Sequence, residues 1–245
     1  MPPSPHLTIA TVRLPDEFWQ PPSLRRLPQA LLTQSEALAP KRRSQFLAGR
    51  WLLAELMHHQ FGCAQLPEMG EPVNGRPSFS TSSLPDFNLS HSGQDMMVAL
   101  AQGCRVGVDI EQSRPRRKLM DLARYSFSEE ECLWLTSLPE NQQADGFWRL
   151  WTLRESVLKL SAKGVWQMKQ IAISPAQRRI HTDFEPQPFC YVQQNSHTLW
   201  SVACDTLLTT EQIDVWRIDV DTLAFCVEPT DGLLTFTSCA ARDKV

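Results

Sequence analysis

Alternation of apolar and polar residues predicts a strand at residues 106–111, and the rest of the chain is interpreted around it. Neighbouring side chains of a strand point to opposite faces, so its three aliphatic residues would face a core. Asp109 and Glu111 would share the other face, roughly 6–7 Å apart along the strand. Two carboxylates at this spacing can share one hard cation, although a half-buried strand with its acids in water has the same pattern.

Apolar residues at three- and four-residue steps predict two long amphipathic helices. The first lies within residues 24–61, is punctuated by Pro40 and carries Arg42 and Arg50. Such arginines are either the solvated face of the helix or a phosphate clamp, because guanidinium groups bind phosphate oxygens in pairs.

The second long helix is predicted at residues 147–159 and has a tryptophan-rich stripe. On it, Glu155 and Lys159 project from neighbouring turns of one flank, where they could form an ordinary surface ion pair. The tryptophan stripe ought to be buried, however, and a half-buried carboxylate prefers a cation nearby. A shared cation would give Asp109, Glu111 and Glu155 a common role.

Turn-forming residues and strand-like runs lie between these helices. An Asn-Gly pair favours a tight turn that presents Arg76 at its exit. Residues 87–93 contain Ser90 and His91, whose hydrogen-bonding groups suit a diphosphate, a structural histidine in a turn being the alternative. A serine nucleophile is not indicated, because adjacent strand residues face opposite ways and no Gly-x-Ser-x-Gly turn is present.

A basic run follows the predicted strand and consists of Arg114, Arg116, Arg117 and Lys118. It is either solvated surface or the place where an acidic partner docks. A helical pattern then covers residues 119–135. Within it, Ser128 and Glu131 have the spacing of a capping box, which gives Glu131 a structural role.

These elements predict an α+β fold of two pseudo-symmetric halves, each with a helix packed on a small antiparallel sheet. In both halves a tryptophan-containing helix is followed by a turn-rich stretch and a hairpin. The predicted division is residues 1–105, residues 106–222 and a C-terminal tail at 223–245. The active site would lie between the halves, so a monomer is expected.

Composition limits the class of function. A chain of 245 residues can bury a sizeable core, and a net charge of −3 argues against a general nucleic-acid-binding or membrane-surface protein. Seven cysteines without a Cys-x-x-Cys pair indicate neither a disulfide framework nor a zinc site. No apolar run reaches the roughly 18 residues of a membrane-spanning helix, and no signal-peptide pattern is present, so a cytoplasmic location is expected.

The chain resembles the 4′-phosphopantetheinyl transferases in two paired motifs, VGVDIE at 106–111 and WTLRESVLK at 151–159. The similarity extends over about residues 41–173. It is to the long, pseudo-dimeric, surfactin-type branch that includes the AcpT-like holo-[acyl-carrier-protein] synthases. This resemblance implies transfer of 4′-phosphopantetheine from coenzyme A to a serine of an apo carrier protein, with 3′,5′-ADP as the other product.

Carried over position by position, the resemblance also implies the roles of individual residues. The Mg²⁺ ligands would be Asp109, Glu111 and Glu155. The residues that bind coenzyme A would be Arg42, Arg50, Arg76, Ser90, His91 and Lys159. Among these, the first two would serve the 3′-phosphate region, and Ser90 and His91 the diphosphate. Arg76 would contact the phosphates, and Lys159 the pyrophosphate or the transferred group. The catalytic residues would be Glu155, as the base, and Lys159.

Two positions depart from the usual family pattern, since Arg154 and Arg76 stand where lysine is common. Arginine keeps the charge but cannot deprotonate, so a proton-transfer role for residue 154 is not expected. The alternative function is a non-catalytic module of the same fold that binds coenzyme A or a carrier protein. Because carrier proteins are generally acidic, the basic run is the expected docking surface.

Overall fold

The computed structural model describes residues 4–15 and 23–238, and predictions for residues 1–3, 16–22 and 239–245 lie outside them. The helices are α1 (Gln29–Glu36), α2 (Pro40–Phe61), α3 (Leu119–Ser126), α4 (Glu129–Ser137) and α5 (Glu140–Leu160). The strands are β1 (His6–Arg13), β2 (Asp86–Ser92), β3 (Asp95–Gln102), β4 (Val106–Gln112), β5 (Ile171–Ser174), β6 (Arg179–Thr182), β7 (Phe189–Gln194), β8 (Thr198–Cys204), β9 (Ile213–Ile218), β10 (Phe225–Val227) and β11 (Leu234–Ser238). Two 3₁₀ turns occupy Val165–Gln170 and Thr210–Gln212.

The strands form two sheets. The first has five strands in the order β10-β9-β1-β3-β2, and the second has six in the order β4-β8-β7-β11-β6-β5. Helix α2 packs on β1 and β3 of the first sheet, and α5 packs on β4 and β8 of the second. The α+β class with two helix-covered sheets is therefore confirmed.

A hydrophobic core joins the two sheets. Leu7 and Ile9 of β1 belong to the same buried cluster as Val108 and Ile110 of β4 and Trp200 of β8. The aliphatic residues of β4 are at most 2% exposed, which confirms that they face a core. Burial of side chains from both sheets in one cluster is what holds the two halves together.

The structure differs from the predicted arrangement in its strand directions and in two of its helices. The sheets are mixed rather than purely antiparallel, because β9 runs parallel to β1 and β11 runs parallel to β6. The first long helical pattern contains two helices, since α1 ends before Pro40 begins α2. Likewise, the pattern at 119–135 contains α3 and α4, because Ser128 caps a new helix with the predicted capping box.

The C-terminal part of the chain contributes to both sheets. Strands β9 and β10 extend the first sheet, whereas β11 pairs with β7 in the second. The part of the predicted tail that the structure describes, residues 223–238, is therefore built into the sheets. The division into sequence domains stays a prediction, and its boundary at 105/106 falls where the chain passes from β3 to β4.

Side chains of β2 bind the backbone of β4 where the two sheets meet. Val106 N–H donates to Asp86 Oδ2 at 2.9 Å, and Val108 N–H donates to Asn88 Oδ1 at 3.0 Å. Gln112 N–H donates to Ser92 Oγ at 3.3 Å. Because these contacts recur along β4, they fix the position of β4 relative to β2.

Gly107 allows α5 to lie close to β4. A Cβ atom at this position would be 2.2 Å from the carbonyl oxygen of Ser156 and 2.3 Å from the amide nitrogen of Leu160. No side chain larger than hydrogen fits such an approach. The close crossing brings the last turn of α5 beside the strand that carries the predicted metal ligands.

Candidate functional site

An open pocket of about 330 Å³ lies where β2, β4 and α5 meet. The side chains that line it are Leu89, Ser90, His91, Asp109, Glu111, Trp151, Glu155 and Lys159. All three predicted metal ligands and both predicted catalytic residues are among them. Three segments that are distant in the sequence are thus brought together by the contacts of β4 with β2 and α5.

Asp109 is at the centre of the hydrogen-bond network in this pocket. Lys159 Nζ donates to Asp109 Oδ1 at 2.7 Å, and Ser90 Oγ donates to the same oxygen at 2.8 Å. The Nζ atom also donates to Ser90 Oγ at 3.0 Å. The other carboxylate oxygen, Oδ2, is buried and has no hydrogen-bond partner within residues 4–15 and 23–238. A buried acceptor of this kind is where a further donor or a cation would bind.

Glu111 is held by a neighbouring serine on β2. Ser92 Oγ donates to Glu111 Oε2 at 2.5 Å, while the Ser92 side chain also accepts the amide of Gln112. Burial raises the pKa of Glu111 above its ordinary value, and the hydrogen bond from Ser92 works in the opposite direction. This carboxylate therefore has a fixed position but remains half-exposed at the pocket.

Glu155 has the most perturbed carboxyl group at the site. Burial raises its pKa to about 7, and repulsion from the carboxylate of Asp109 adds to the effect. Attraction by Lys159 opposes both effects. A glutamate with a pKa near 7 can accept a proton at neutral pH, and a cation shared with Asp109 would favour its charged form.

Positive groups gather on the His91 side of the pocket. Burial lowers the pKa of His91, and the charges of Lys159 and Arg42 lower it further. Burial, reinforced by the charge of Arg42, lowers the pKa of Arg50 to about 10. The Arg50 guanidinium lies over the ring of Phe46, 5.2 Å from its centroid. Arg42 and Arg50 thus lie near the pocket without lining it.

Arg76 is placed differently from the other predicted phosphate-binding residues. Its guanidinium forms a two-point ion pair with Asp86, with N···O distances of 2.9 and 2.7 Å. It also donates to the carbonyl oxygens of Val106 and Lys159. Its side chain is outside the lining of the pocket and contacts the first residues of β2 and β4 and the last turn of α5.

Arg154 lies on α5 but does not line the pocket. Its side chain is fully buried and pairs with Glu131, the residue of the α4 capping box. Glu131 also accepts the amide of Ile173 at 2.6 Å, and Arg154 donates to the carbonyl oxygen of Ile171 at 3.1 Å. The substitution of arginine for lysine at this position therefore affects the packing of α4 and β5 on α5, and not the pocket.

The basic run is exposed, as a docking surface requires. Residues 114–118 are all exposed, and the Arg116 guanidinium lies over the indole of Trp148 at 5.6 Å. Trp148 in turn donates through its indole N–H to the carbonyl oxygen of Arg114. These contacts join the run to α5, the helix that carries Glu155 and Lys159.

The chemistry of the pocket fits a hard divalent cation, although its three carboxylates are not closed around one. Among the residues that the structure describes, no group of three or more His, Cys, Asp or Glu side chains is close enough to hold a metal ion. The unpartnered Asp109 Oδ2 and the mutual repulsion of Asp109 and Glu155 nevertheless favour a cation there. Carboxylate oxygens are the ligands that Mg²⁺ prefers.

Three residues of the site have roles that the sequence analysis did not predict. Ser92 lies two positions after Ser90 on β2, so period-2 alternation could have identified it as a second hydroxyl on the same face. Trp151 was assigned to the buried stripe, yet it lines the pocket one turn before Glu155. No pattern in the sequence marks Leu89, whose place in the lining depends on tertiary packing.

The chain is similar in sequence to several known proteins. A sequence profile described as the 4′-phosphopantetheinyl transferase superfamily matches residues 105–213. The chain is 37% identical over 151 residues to the 4′-phosphopantetheinyl transferase AcpT of Salmonella typhimurium, covering 61% of this chain and 73% of that protein.

The chain is also similar to two further proteins. Identity to the 4′-phosphopantetheinyl transferase HetI of Nostoc is 33% over 141 residues, covering 55% of this chain and 59% of that protein. Identity to the uncharacterized protein YieE of Escherichia coli is 32% over 198 residues, covering 79% of this chain and 78% of that protein. Within the described ranges, no helix is both long enough and apolar enough to cross a membrane.

Proposed function

The chain belongs to the 4′-phosphopantetheinyl transferase superfamily, in its AcpT-like branch, and we propose that it transfers 4′-phosphopantetheine from coenzyme A to a serine of an apo carrier protein. The products are the holo-carrier protein and 3′,5′-ADP. In this reaction the serine oxygen forms a new bond to the β-phosphorus of coenzyme A. The bond from that phosphorus to the bridging diphosphate oxygen breaks, and the serine gives up its proton.

One observation carries the proposal, namely that Asp109, Glu155 and Lys159 line a single pocket together with Ser90 and His91. A diphosphate needs positive groups and hydrogen-bond donors around it. The Lys159 ammonium and the Ser90 hydroxyl supply these within 3.0 Å of each other. The carboxylates supply the oxygen ligands for a cation that neutralises phosphate charge.

The basic residues have separate tasks in this proposal. Lys159, Ser90 and His91 bind the diphosphate, and Lys159 remains with the leaving 3′,5′-ADP as its negative charge increases. Arg42 and Arg50 serve the 3′-phosphate region. The charge of Arg42 lowers the pKa of both Arg50 and His91. This supports the assignment, because such repulsion acts between groups that lie near one another.

Glu155 is the proposed base. Its carboxyl group lines the pocket, and its pKa of about 7 in the metal-free site shows how strongly burial favours the protonated form there. The ionised carboxylate, which a bound cation favours, is the form that accepts the serine proton. The residue faces the pocket from α5, the helix beside the exposed basic run. An incoming carrier serine therefore approaches the carboxyl group from the open side of the pocket.

Mg²⁺ is the proposed cofactor, held by Asp109, Glu111 and Glu155. When bound, it offsets charge on the diphosphate and orients its oxygens. Asp109 offers its unpartnered Oδ2, and a hydrogen bond from Ser92 fixes the Glu111 carboxylate. Asp109 and Ser90 also fix the position of the Lys159 ammonium.

The carrier protein is the proposed macromolecular partner, and the exposed basic run is its docking surface. The chain is proposed to act as a monomer, since both of its sheets contribute residues to one pocket. Its proposed location is the cytoplasm. Incubation of the chain with coenzyme A, Mg²⁺ and an apo carrier protein, followed by mass spectrometry of the carrier, tests the proposal. A carrier that keeps its apo mass would leave only the non-catalytic alternative.

A further inference from the structure

Arg76 contacts all three elements that form the pocket. From the turn before β2, its Nη1 and Nη2 atoms donate to the two carboxylate oxygens of Asp86, the first residue of β2. Nη2 also donates to the carbonyl oxygen of Val106, the first residue of β4. Nε donates to the carbonyl oxygen of Lys159 in the last turn of α5, at 3.2 Å. The Arg76 side chain is only 11% exposed.

Asp86, the acidic partner of Arg76, also contacts β4. Its Oδ2 atom accepts the amide of Val106 at 2.9 Å while it pairs with Arg76. The Arg76–Asp86 pair therefore binds both backbone groups of the residue that begins β4. Asp109 follows three residues later, so the pair sets where that carboxylate lies along β2.

The contact with α5 fixes the other side of the pocket. The last carbonyl groups of a helix have no partner within the helix, and a cation is favourable beside them. Arg76 binds the carbonyl oxygen of Lys159 itself, the residue whose Nζ atom donates to Asp109 and Ser90. The Arg76 guanidinium is thus hydrogen-bonded to the main chain of Lys159, whose side chain faces the proposed diphosphate site.

We propose that Arg76 is a positioning residue of the transfer reaction: the Arg76–Asp86 pair holds β2, β4 and the end of α5 so that Ser90, Asp109 and Lys159 meet. The inference rests on the proposed function. It replaces the sequence prediction that Arg76 contacts phosphate. Both terminal nitrogens and Nε are already bonded to protein oxygens, so a phosphate contact would break a largely buried ion pair.

Steady-state kinetics of Arg76→Gln, Arg76→Lys, Asp86→Asn and the double variant Arg76→Gln/Asp86→Asn distinguish positioning from phosphate binding. Displacement of reacting groups lowers kcat, whereas loss of a phosphate contact raises KM for coenzyme A. We expect kcat to fall by roughly 10- to 100-fold in Arg76→Gln and Asp86→Asn, with KM for coenzyme A within about twofold of wild type. The double variant should lose no more than either single variant, because all three remove the same unit.

Arg105 provides the matched control. It donates from Nη2 to the carbonyl oxygen of Leu160 at 3.0 Å, at the same helix end, but among the described residues it forms no side-chain hydrogen bond or ion pair with β2. Arg105→Gln should keep kcat within about threefold of wild type. Arg76→Lys retains the charge without the two-point geometry and should be intermediate in kcat. Circular dichroism and thermal melts restrict the comparison to variants that are folded at the assay temperature.

The possible results distinguish failure of the proposed function from failure of the positioning role of Arg76. A wild-type chain that transfers nothing overturns the proposed function, and this inference with it. If the wild-type chain is active, a higher KM for coenzyme A in Arg76→Gln with unchanged KM in Asp86→Asn overturns positioning in favour of a phosphate contact. Folded Arg76→Gln and Asp86→Asn variants with wild-type kcat also overturn it.

Discussion

Lys159 Nζ lies 2.7 Å from Asp109 Oδ1, so a residue of α5 is paired directly with a residue of β4 across the candidate active site. The lysine side chain is 29% exposed on the pocket side, whereas that of the aspartate is 7% exposed. An ion pair in this position leaves the ammonium accessible to a diphosphate. The ion pair also connects the last turn of α5 to β4.

Replacement of Lys159 by methionine should therefore reduce transfer strongly while the fold is retained. Loss of a charged donor to the departing group costs about 10²–10³-fold in kcat. Lys163→Met is the matched control, since Lys163 is an exposed lysine one turn further along the chain and lies over Phe184. Equal activity of the two variants would show that Lys159 has no role in the reaction.

Glu155→Gln should stabilise the metal-free protein at alkaline pH. The pKa of Glu155 is raised from its ordinary value of 4.5 to about 7 in the fold, so the native state holds its proton more tightly than the unfolded state. The contribution of Glu155 to wild-type stability then falls as pH rises from about 4.5 to 7 and stays lower above that range. The variant lacks this penalty.

Calorimetry in a chelator at pH 5 and pH 8 measures the effect. The Tm advantage of Glu155→Gln over wild type should be larger at pH 8, by a few degrees. Addition of Mg²⁺ at pH 8 should raise the Tm of wild type more than that of the variant, because binding to the native state stabilises it. A Tm difference that is the same at both pH values would contradict the raised pKa.

Gly107→Ala should destabilise the fold by about 3 kcal/mol or more, since overpacking at this contact involves main-chain atoms rather than a flexible side chain. The added Cβ atom would lie 2.2 Å from the Ser156 carbonyl oxygen, so α5 would have to move away from β4. Denaturant unfolding measures the loss. Gly232→Ala is the control, because a Cβ atom there meets nothing within 4 Å. If Gly107→Ala lost as little stability as Gly232→Ala, α5 would tolerate the displacement and the prediction would be wrong.

Neutralisation of the basic run should weaken carrier binding without affecting coenzyme A. With Arg114, Arg116, Arg117 and Lys118 replaced by glutamine, KM for an acidic carrier should rise and its dependence on salt should diminish. KM for coenzyme A should be unchanged. The control is Arg178→Gln/Arg179→Gln, which removes exposed charge from the end of the β5–β6 turn and the first residue of β6, outside the lining of the pocket. Unchanged KM and salt dependence in the first variant would place docking elsewhere.

Local patterns in the sequence predicted the local parts of the site. Alternation along β4 identified the face that carries Asp109 and Glu111, and helical spacing placed Glu155 and Lys159 on one flank of α5. The capping box at Ser128 was also correct. Each of these features depends on residues a few positions apart, where backbone geometry alone fixes which side chains share a face.

Long-range partners could not be predicted in the same way. Arg154 is the neighbour of Glu155 in the same predicted helix. Its burial with Glu131, however, depends on how α4 packs on α5. Arg76 was assigned to phosphate from its charge and turn, whereas its contact with Asp86 and with the carbonyl oxygen of Lys159 depends on how the two sheets meet. The parallel pairing of β9 with β1, more than 200 residues apart, likewise has no local signal.

The most direct measurement is the mass of an apo carrier protein after incubation with coenzyme A, Mg²⁺ and this chain, compared with the Asp109→Asn and Glu155→Gln variants. With the wild-type chain, the carrier should gain the mass of one phosphopantetheinyl group, located on a serine. Both variants, folded by circular dichroism, should leave the carrier unmodified in the same time. An unmodified carrier with wild type, or full modification by both variants, would contradict the assignment of this pocket as the site of transfer.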